Sequence, residues 1–492
     1  MNSPEDEATH QEGRHAGGRK VRADTAPGYG RGRRIWHLVL AGLVALVVVA
    51  VVGVVLVLQR TPPLTDEPAA FGPDLEDVMR RIQEENGRIQ RDHPDDHVTI
   101  AVLMPMTGSL TDISLDRESI RHGLQGAHLA QVWRNRRGSG APYVKVLVGD
   151  VGPDGVEAAV DDLRARSEGE RIVAVTGLGA SNKTGHRAVA RLSESSFAMV
   201  AAVITSDEFK PYKGLARVAT LNSEQAQAAV DLARRLRPDL RAVVVRDTNR
   251  ADSYVKTLGD HFTRALTDKE RVEEKSFDSD TSDPGTVLAN IAASICTTDA
   301  NTVLYSGRSE PLPALMEGLS QQSSCIEKNV TVITGDDASQ LNRESKKQMW
   351  GDLRIRLFYT ALAHSEGVVQ PNGPVIPAVQ ARFKGQDPDS YERMFGAENL
   401  DDGMAIMHHD AMGAAIAAVD KFAGKQRLPT AADVASMLTS GTVEVNGGSG
   451  PIKIGSGGER ITKNVPILQL SRDGSTTFSR WVTVPGGTPA AG

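Results

Sequence analysis

Residues 171–209 read RIVAVTGLGASNKTGHRAVARLSESSFAMVAAVITSDEF, two apolar runs joined by an amphipathic stretch. The runs at 172–176 and 198–204 are short and apolar throughout, the pattern of parallel strands covered on both faces. Between them Ala188, Val189 and Leu192 recur at helical spacing, so the unit reads strand, helix, strand. The first run gives way to Gly177, Gly179, Ala180 and Ser181, and the second to Thr205 and Ser206. In an open α/β sheet, ligands sit beyond the carboxyl ends of the strands, where the unpaired N–H groups of a helix start attract an anion. The stretch has the form of a small-anion cradle. It is not a nucleotide phosphate loop, because Asn182 stands where Gly must precede Lys-Thr. Ser181 would also serve as an ordinary helix cap, and the stretch alone leaves that open.

The same alternation runs outward in both directions. Strands are expected at 98–104, 144–148 and 215–219, with helices near 118–133 and 156–166. A second series follows: helices at 224–236, 254–266, 286–296 and about 312–321, and strands at 242–246, 272–277, 302–305 and 330–334. Alternation at this spacing predicts parallel sheets with right-handed crossovers, and two series predict two doubly wound lobes. The tail breaks the rhythm. A strand at 353–358 and helices at 410–421 and 430–438 precede short strands at 451–454, 465–470 and 476–481 with Gly and Asp-Gly turns, an antiparallel ending. A chain that returns to both lobes crosses between them several times and makes a hinged cleft.

The amino-terminal part has other work. Residues 1–34 are polar, with nothing to bury, and read as a disordered tail. Residues 35–58, Ile35 to Leu58, contain no Asp, Glu, Lys or Arg. A helix of that length spans roughly 36 Å, enough for a membrane. Arg31, Arg33 and Arg34 precede it, so the positive-inside rule puts the amino terminus in the cytoplasm and the rest outside the cell membrane as a single-pass ectodomain. Residues 59–97 read as a stalk: prolines, then Leu75, Val78, Met79, Ile82 and Ile89 on a partly amphipathic helix that either packs on the ectodomain or holds it off the membrane. Residues 485–492 read as a flexible tail.

Composition excludes several classes. A net charge of -6 argues against nucleic acid as a partner, and two cysteines permit neither a disulfide scaffold nor a cysteine zinc site. Both cysteines fall outside the membrane, each shortly before a strand of the second lobe, so Cys296 and Cys325 are expected to be joined. Asp336-Asp337 lacks a third ligand at useful spacing for a metal; an Asx turn is the plain alternative. His408-His409 point to different faces of a helix and read as a hinge-side or core pair. No nucleophile elbow or catalytic His–acid spacing is present, so no enzyme, cofactor or metal is expected.

VTIAVLMPMTGSL with the helix SIRHGLQGAHLA resembles the opening of type I periplasmic solute-binding proteins of the branched-chain amino acid receptor family. The resemblance continues through IVAVTGLGAS, AMVAAVITSDEF, RVATLNSEQAQAAVDLA, RAVVVRD, YSGRSEP, TGDDAS and HHDAMGAAIAAV, and covers most of residues 98–481. It implies two α/β lobes joined by a three-crossover hinge. The first would take about 98–219 and 350–440, and the second about 220–349 and 441–484, within an ectodomain of 98–484. It further implies that Ser181, the backbone of Val203 and Thr205 hold a ligand carboxylate, and that Asp337 binds its ammonium. Arg308 and Ser309 occupy the loop where the family often places an aromatic lid. Ile113 and Ala251 stand where many members carry aromatics, which argues against a standard branched-chain amino acid. The implied function is capture of an amino-acid-like or carboxylate solute for an ABC transporter permease. The rival is a sensing or protein-contact ectodomain with a separate signalling partner.

Overall fold

The computed structural model describes residues 63–484 apart from 137–139, 211, 344–349, 352, 397–399, 426 and 463. The membrane span expected at 35–58 and the tails at 1–34 and 485–492 lie outside the described residues. Among the described residues no helix is long and apolar enough to cross a membrane.

Two sheets carry the chain. The first holds β1 (Leu64–Thr65), β2 (His97–Met104), β3 (Tyr143–Asp150), β4 (Ile172–Gly177), β5 (Met199–Ala201) and β6 (Leu215–Arg217), in the order β1-β3-β2-β4-β5-β6. Its strands are parallel except β1, which runs antiparallel to β3. Every residue of β2 and β4 is buried, which is why these strands read as unbroken apolar runs. The second sheet holds β7 (Ala242–Asp247), β8 (Arg271–Phe277), β9 (Thr302–Ser306), β10 (Thr331–Thr334) and β11 (Arg356–Thr360), all parallel. A hairpin, β12 (Glu444–Gly447) and β13 (Gly450–Lys453), stands apart. Antiparallel β14 (Asn464–Leu470) and β15 (Thr476–Thr483) complete the second sheet, whose order is β15-β14-β11-β10-β9-β7-β8.

Both orders reverse direction once. In the first lobe the reversal lies between β2 and β4, and in the second between β7 and β9. Loops leaving the carboxyl ends of such a pair diverge and open a crevice, the usual ligand position in open α/β sheets. The loops concerned carry Ser114 and Ser181 in one lobe, Asp252 and Arg308 in the other.

Among the described residues the chain passes between the sheets three times, after β6, after β11 and after β13. Here the expected lobe boundaries need correction. β11 was placed with the first lobe at 350–440, but it pairs with β10, the strand just before it, as consecutive parallel strands usually do. Residues 441–454, expected in the second lobe, join the first: Val443, Ile452 and Ile454 are buried in its core. Of the two alternatives for the stalk helix, the structure shows packing on the ectodomain. Leu64 and Thr65 pair with β3, and helix Glu76–Asp92 buries Val78, Met79, Ile82 and Ile89 against the first lobe. Asn86 fixes it there, accepting the N–H of Val146 and donating to its carbonyl.

Helix Met404–Asp420 returns to pack on helix Arg117–Asn135, so closely that a Cβ at Gly126 would lie 1.9 Å from the Ala405 carbonyl. His408 and His409 are both buried on it with separate partners, the Met404 carbonyl and Asp410. Cys296 and Cys325 are disulfide-bonded with Cα atoms 5.1 Å apart, near the amino ends of β9 and β10 and far from the crevice.

Candidate ligand site between the lobes

After β4 the backbone takes positive φ at Gly177, Leu178 and Gly179. The turn is pressed onto β2: Leu178 N–H donates to the Leu103 carbonyl at 2.7 Å, and a Cβ at Gly177 would lie 2.6 Å from that oxygen. Ser181 and Asn182 follow. Asn182, not Ser181, caps helix Lys183–Glu194, its side chain accepting from Gly185 N–H at 2.9 Å. The capping alternative for Ser181 falls away.

The Ser181 hydroxyl instead accepts two backbone N–H groups from the end of the neighbouring strand, Thr205 at 2.9 Å and Ser206 at 3.0 Å. A hydroxyl has two acceptor positions and one proton. Both acceptor positions are filled, so the proton is what Ser181 has left to offer. Thr205 Oγ1 is buried and has no hydrogen-bond partner among the described residues. Two hydroxyl donors thus stand together at the end of the first sheet. Val203, two residues before Thr205, lines a cavity of about 10 Å³ together with Asp336, Leu362 and Met404, room for about one water.

The facing loops belong to the second lobe. Arg308 donates from Nε to Asp252 at 2.6 Å, from Nη2 to the same carboxylate at 2.9 Å, and from Nη1 to Asp337 at 2.8 Å. Its Nη2 also reaches the Ser181 carbonyl at 3.4 Å, and the guanidinium lies 4.4 Å over the Tyr254 ring. Burial works against its charge, but the Asp252 and Asp337 carboxylates outweigh that and hold it firmly protonated. Asp337 further accepts the Ser309 N–H at 2.6 Å and Gln340 Nε2 at 3.2 Å. The structure therefore brings Ser181, Val203, Thr205, Arg308, Ser309 and Asp337 to one crevice. Asp337 faces a cation of its own chain.

The lobes touch directly here. Tyr254 N–H donates to the Ser181 carbonyl at 3.0 Å, and Lys183 N–H to the Ala251 carbonyl at 2.9 Å. Farther along, Arg343 leaves the second lobe and enters the first, where it meets Asp116 at 2.8 and 3.0 Å, Asp402 at 3.0 Å and Ser119 Oγ at 2.7 Å. His122 Nδ1 lies 2.7 Å from Asp402. Burial alone would raise the Asp402 carboxyl, but the charge and hydrogen bond of His122 and the charge of Arg343 hold it at about 2. Asp336, next to Asp337, has a different environment. Among the described residues its carboxylate accepts only from Gln225 Nε2 at 2.8 Å, and burial pushes it up to about 7.

Sequence reasoning missed Asp252, Asp116, Gln340, Arg343 and Asp402. Asp252 carried a usable signal, since Asp before Ser-Tyr is a helix start, and it does cap helix Ser253–Ala265. Among the described residues no group of three His, Cys, Asp or Glu side chains is arranged to hold a metal.

No family profile and no curated protein matches the chain. Solved structures do. A leucine-binding protein from Thermotoga maritima is 20% identical, with a TM-score of 0.59 over 78% of this chain and 99% of that one. A branched-chain amino acid transporter substrate-binding protein from Streptococcus pneumoniae, in complex with isoleucine, is 13% identical with a TM-score of 0.58, covering 79% and 99%. A solute-binding protein of an ABC transporter from R. palustris, in complex with benzoate, is 13% identical with a TM-score of 0.55, covering 80% and 99%. These likenesses show the fold, two mostly parallel sheets in the manner of type I periplasmic binding proteins.

Proposed function

We propose that this protein is a solute-binding receptor that takes a small carboxylate-bearing molecule between its lobes. The observation that carries the reading is the pair of donors at the crevice: Ser181 with both acceptor positions filled, and buried Thr205 without a partner. An anion supplies what both hydroxyls lack, and hydrogen bonds to a charged acceptor are worth about 1.5–3 kcal/mol each. The named ligands of the similar structures, isoleucine and benzoate, share a carboxylate and little else. In this reading residues 35–58 anchor the protein in the cell membrane with the lobes outside, and an ABC transporter permease receives the solute.

A second reading is a sensing or contact module whose lobes work as a unit with a separate signalling partner. The ion pairs of Arg343 with Asp116 and Asp402, which join the second lobe to the first, favour it. A thermal-shift screen of the purified chain against small acids separates the two. A ligand at a hundredfold excess over its Kd stabilises by about 2.7 kcal/mol. Ser181→Ala and Thr205→Val should each weaken the best acid by about 1.5–3 kcal/mol. A flat screen, or variants that bind as well as wild type, would transfer the case to the contact module.

A further inference from the structure

An α-amino acid presents an ammonium within a few ångströms of its carboxylate, so a cleft that takes one needs an open anion beside its carboxylate donors. The anions beside Ser181 are Asp252 and Asp337, and a cation of the chain already lies between them. Arg308 spends three of its N–H groups on the two carboxylates and touches the Ser181 carbonyl, which puts its charge against the residue that offers the hydroxyl. Asp252 is further satisfied by the N–H groups of Tyr254 and Val255 at the positive end of its helix. Asp337 is further satisfied by Ser309 N–H and Gln340 Nε2. Tyr254 covers one face of the guanidinium, so Arg308 is fixed from the side as well as along its edge.

The third acid nearby is Asp336. Its side chain turns to Gln225, which donates to the carboxylate while accepting the Asp336 N–H at 3.1 Å and the Thr360 hydroxyl at 2.7 Å. Burial raises that carboxyl to about 7, which weakens it as a partner for an ammonium.

From this arrangement we infer that Arg308 is the specificity-determining residue of the crevice: it fills the cation's place, and the solute is a carboxylic acid without an α-ammonium. The inference rests on the carboxylate reading above and narrows it. An amino acid would bring a second cation to carboxylates that Arg308, three backbone N–H groups and Gln340 Nε2 have already satisfied, and it would lose the hydration of that ammonium without recovering it.

The test uses matched pairs on the full-length chain: 4-methylpentanoate against leucine, and 3-phenylpropanoate against phenylalanine, by calorimetric titration. Wild type should bind the better des-amino acid at least 100-fold more tightly than its amino partner. Arg308→Met should cut that ratio to under tenfold by freeing Asp337 for the ammonium. Equal affinity for acid and amino acid in wild type overturns the inference and leaves the carboxylate reading standing. So does an unchanged ratio in Arg308→Met. Binding of neither member of either pair removes the carboxylate reading and this inference with it. Should Arg308→Met not fold, the wild-type ratios alone decide.

Discussion

Two arginines, Arg308 half-buried and Arg460 buried, sit where the lobes meet, and they are satisfied in opposite ways. Arg308, in the crevice, is surrounded by carboxylates. Arg460, on the third crossover, donates to the carbonyls of Val218, Ser449, Pro451 and Thr462 and to the Ser449 hydroxyl, all between 2.7 and 3.0 Å. Among the described residues no carboxylate touches it, and burial lowers its pKa to about 10 against the more distant charges of Asp410 and Glu224. Arg308, Asp252 and Asp337 all belong to the second lobe, so when the two surfaces part the ion pairs persist and only the contact with the Ser181 carbonyl goes to water. Carbonyls of a buried seam have no water to return to. The difference marks one region as separable and the other as permanent, and Arg217 adds to the seam by pairing with Glu459 while its N–H bonds the Gly458 carbonyl.

The largest expected effect follows from the seam. Arg460→Met leaves several buried carbonyls without a donor, and each costs about 1–3 kcal/mol if unsatisfied. A total of about 3–5 kcal/mol is expected, read as a shift in urea midpoint. A loss below 1 kcal/mol would mean water replaces the guanidinium, and the seam would then be no more permanent than the cleft.

The disulfide comes next and tests whether the far edge of the second lobe is independent of both regions. Its ends are 29 residues apart in sequence, which in the chain-entropy model is worth about 3–4 kcal/mol. Replacing both Cys296 and Cys325 by Ser should lower the melting temperature and leave the affinity for the best small acid unchanged. Weakened binding would tie this edge to the crevice.

A smaller effect belongs to the clasp of Arg343. Asp402 is held at about 2, below the ordinary 3.8, so its ionised form is favoured in the folded state. That stability is fully present above pH 4 and is lost as pH falls toward 2. Asp402→Asn should remove about 2 kcal/mol at pH 6 and much less at pH 2, measured as thermal midpoints at both. Equal losses at the two pH values would show that packing, not charge, makes the clasp.

How much of this could be read beforehand depends on distance along the chain. The strand–helix–strand unit was legible because its signals are local: the apolar runs of β4 and β5, the helical spacing of Ala188 and Leu192, the small residues that follow. Helix Glu76–Asp92 was legible as a helix from Val78, Met79 and Ile82, but an apolar stripe does not name the surface that covers it. β11 was legible as a strand, yet its lobe depends on a neighbour that apolar pattern alone does not specify. Arg343 left no signal, for its partners Asp402 and Asp116 are 59 and 227 positions away. Resemblance points to Asp337 as the acid awaiting a cation and to Arg308 only as a residue of the loop where the family often has a lid; their pairing depends on loops that only the fold brings together.

The smallest effect has the opposite sign, and it concerns Asp336, which no arginine holds among the described residues. Asp336 is raised to about 7, so between pH 4 and 7 the unfolded chain gives up this proton while the folded protein keeps it. Its contribution to stability therefore falls as pH rises through that window and levels off above it. A shift of this size corresponds to about 4 kcal/mol at most, and because the side chain is only partly buried at the crevice, about 1–2 kcal/mol is expected. Asp336→Asn keeps an oxygen for Gln225 Nε2 and has no proton to lose. The variant should gain about 1–2 kcal/mol over wild type at pH 8 relative to the difference at pH 4, measured by urea unfolding at each. If the difference between variant and wild type is the same at both, Asp336 is ionised and paired like its neighbour, and the contrast between a satisfied Asp337 and an unsatisfied Asp336 does not hold.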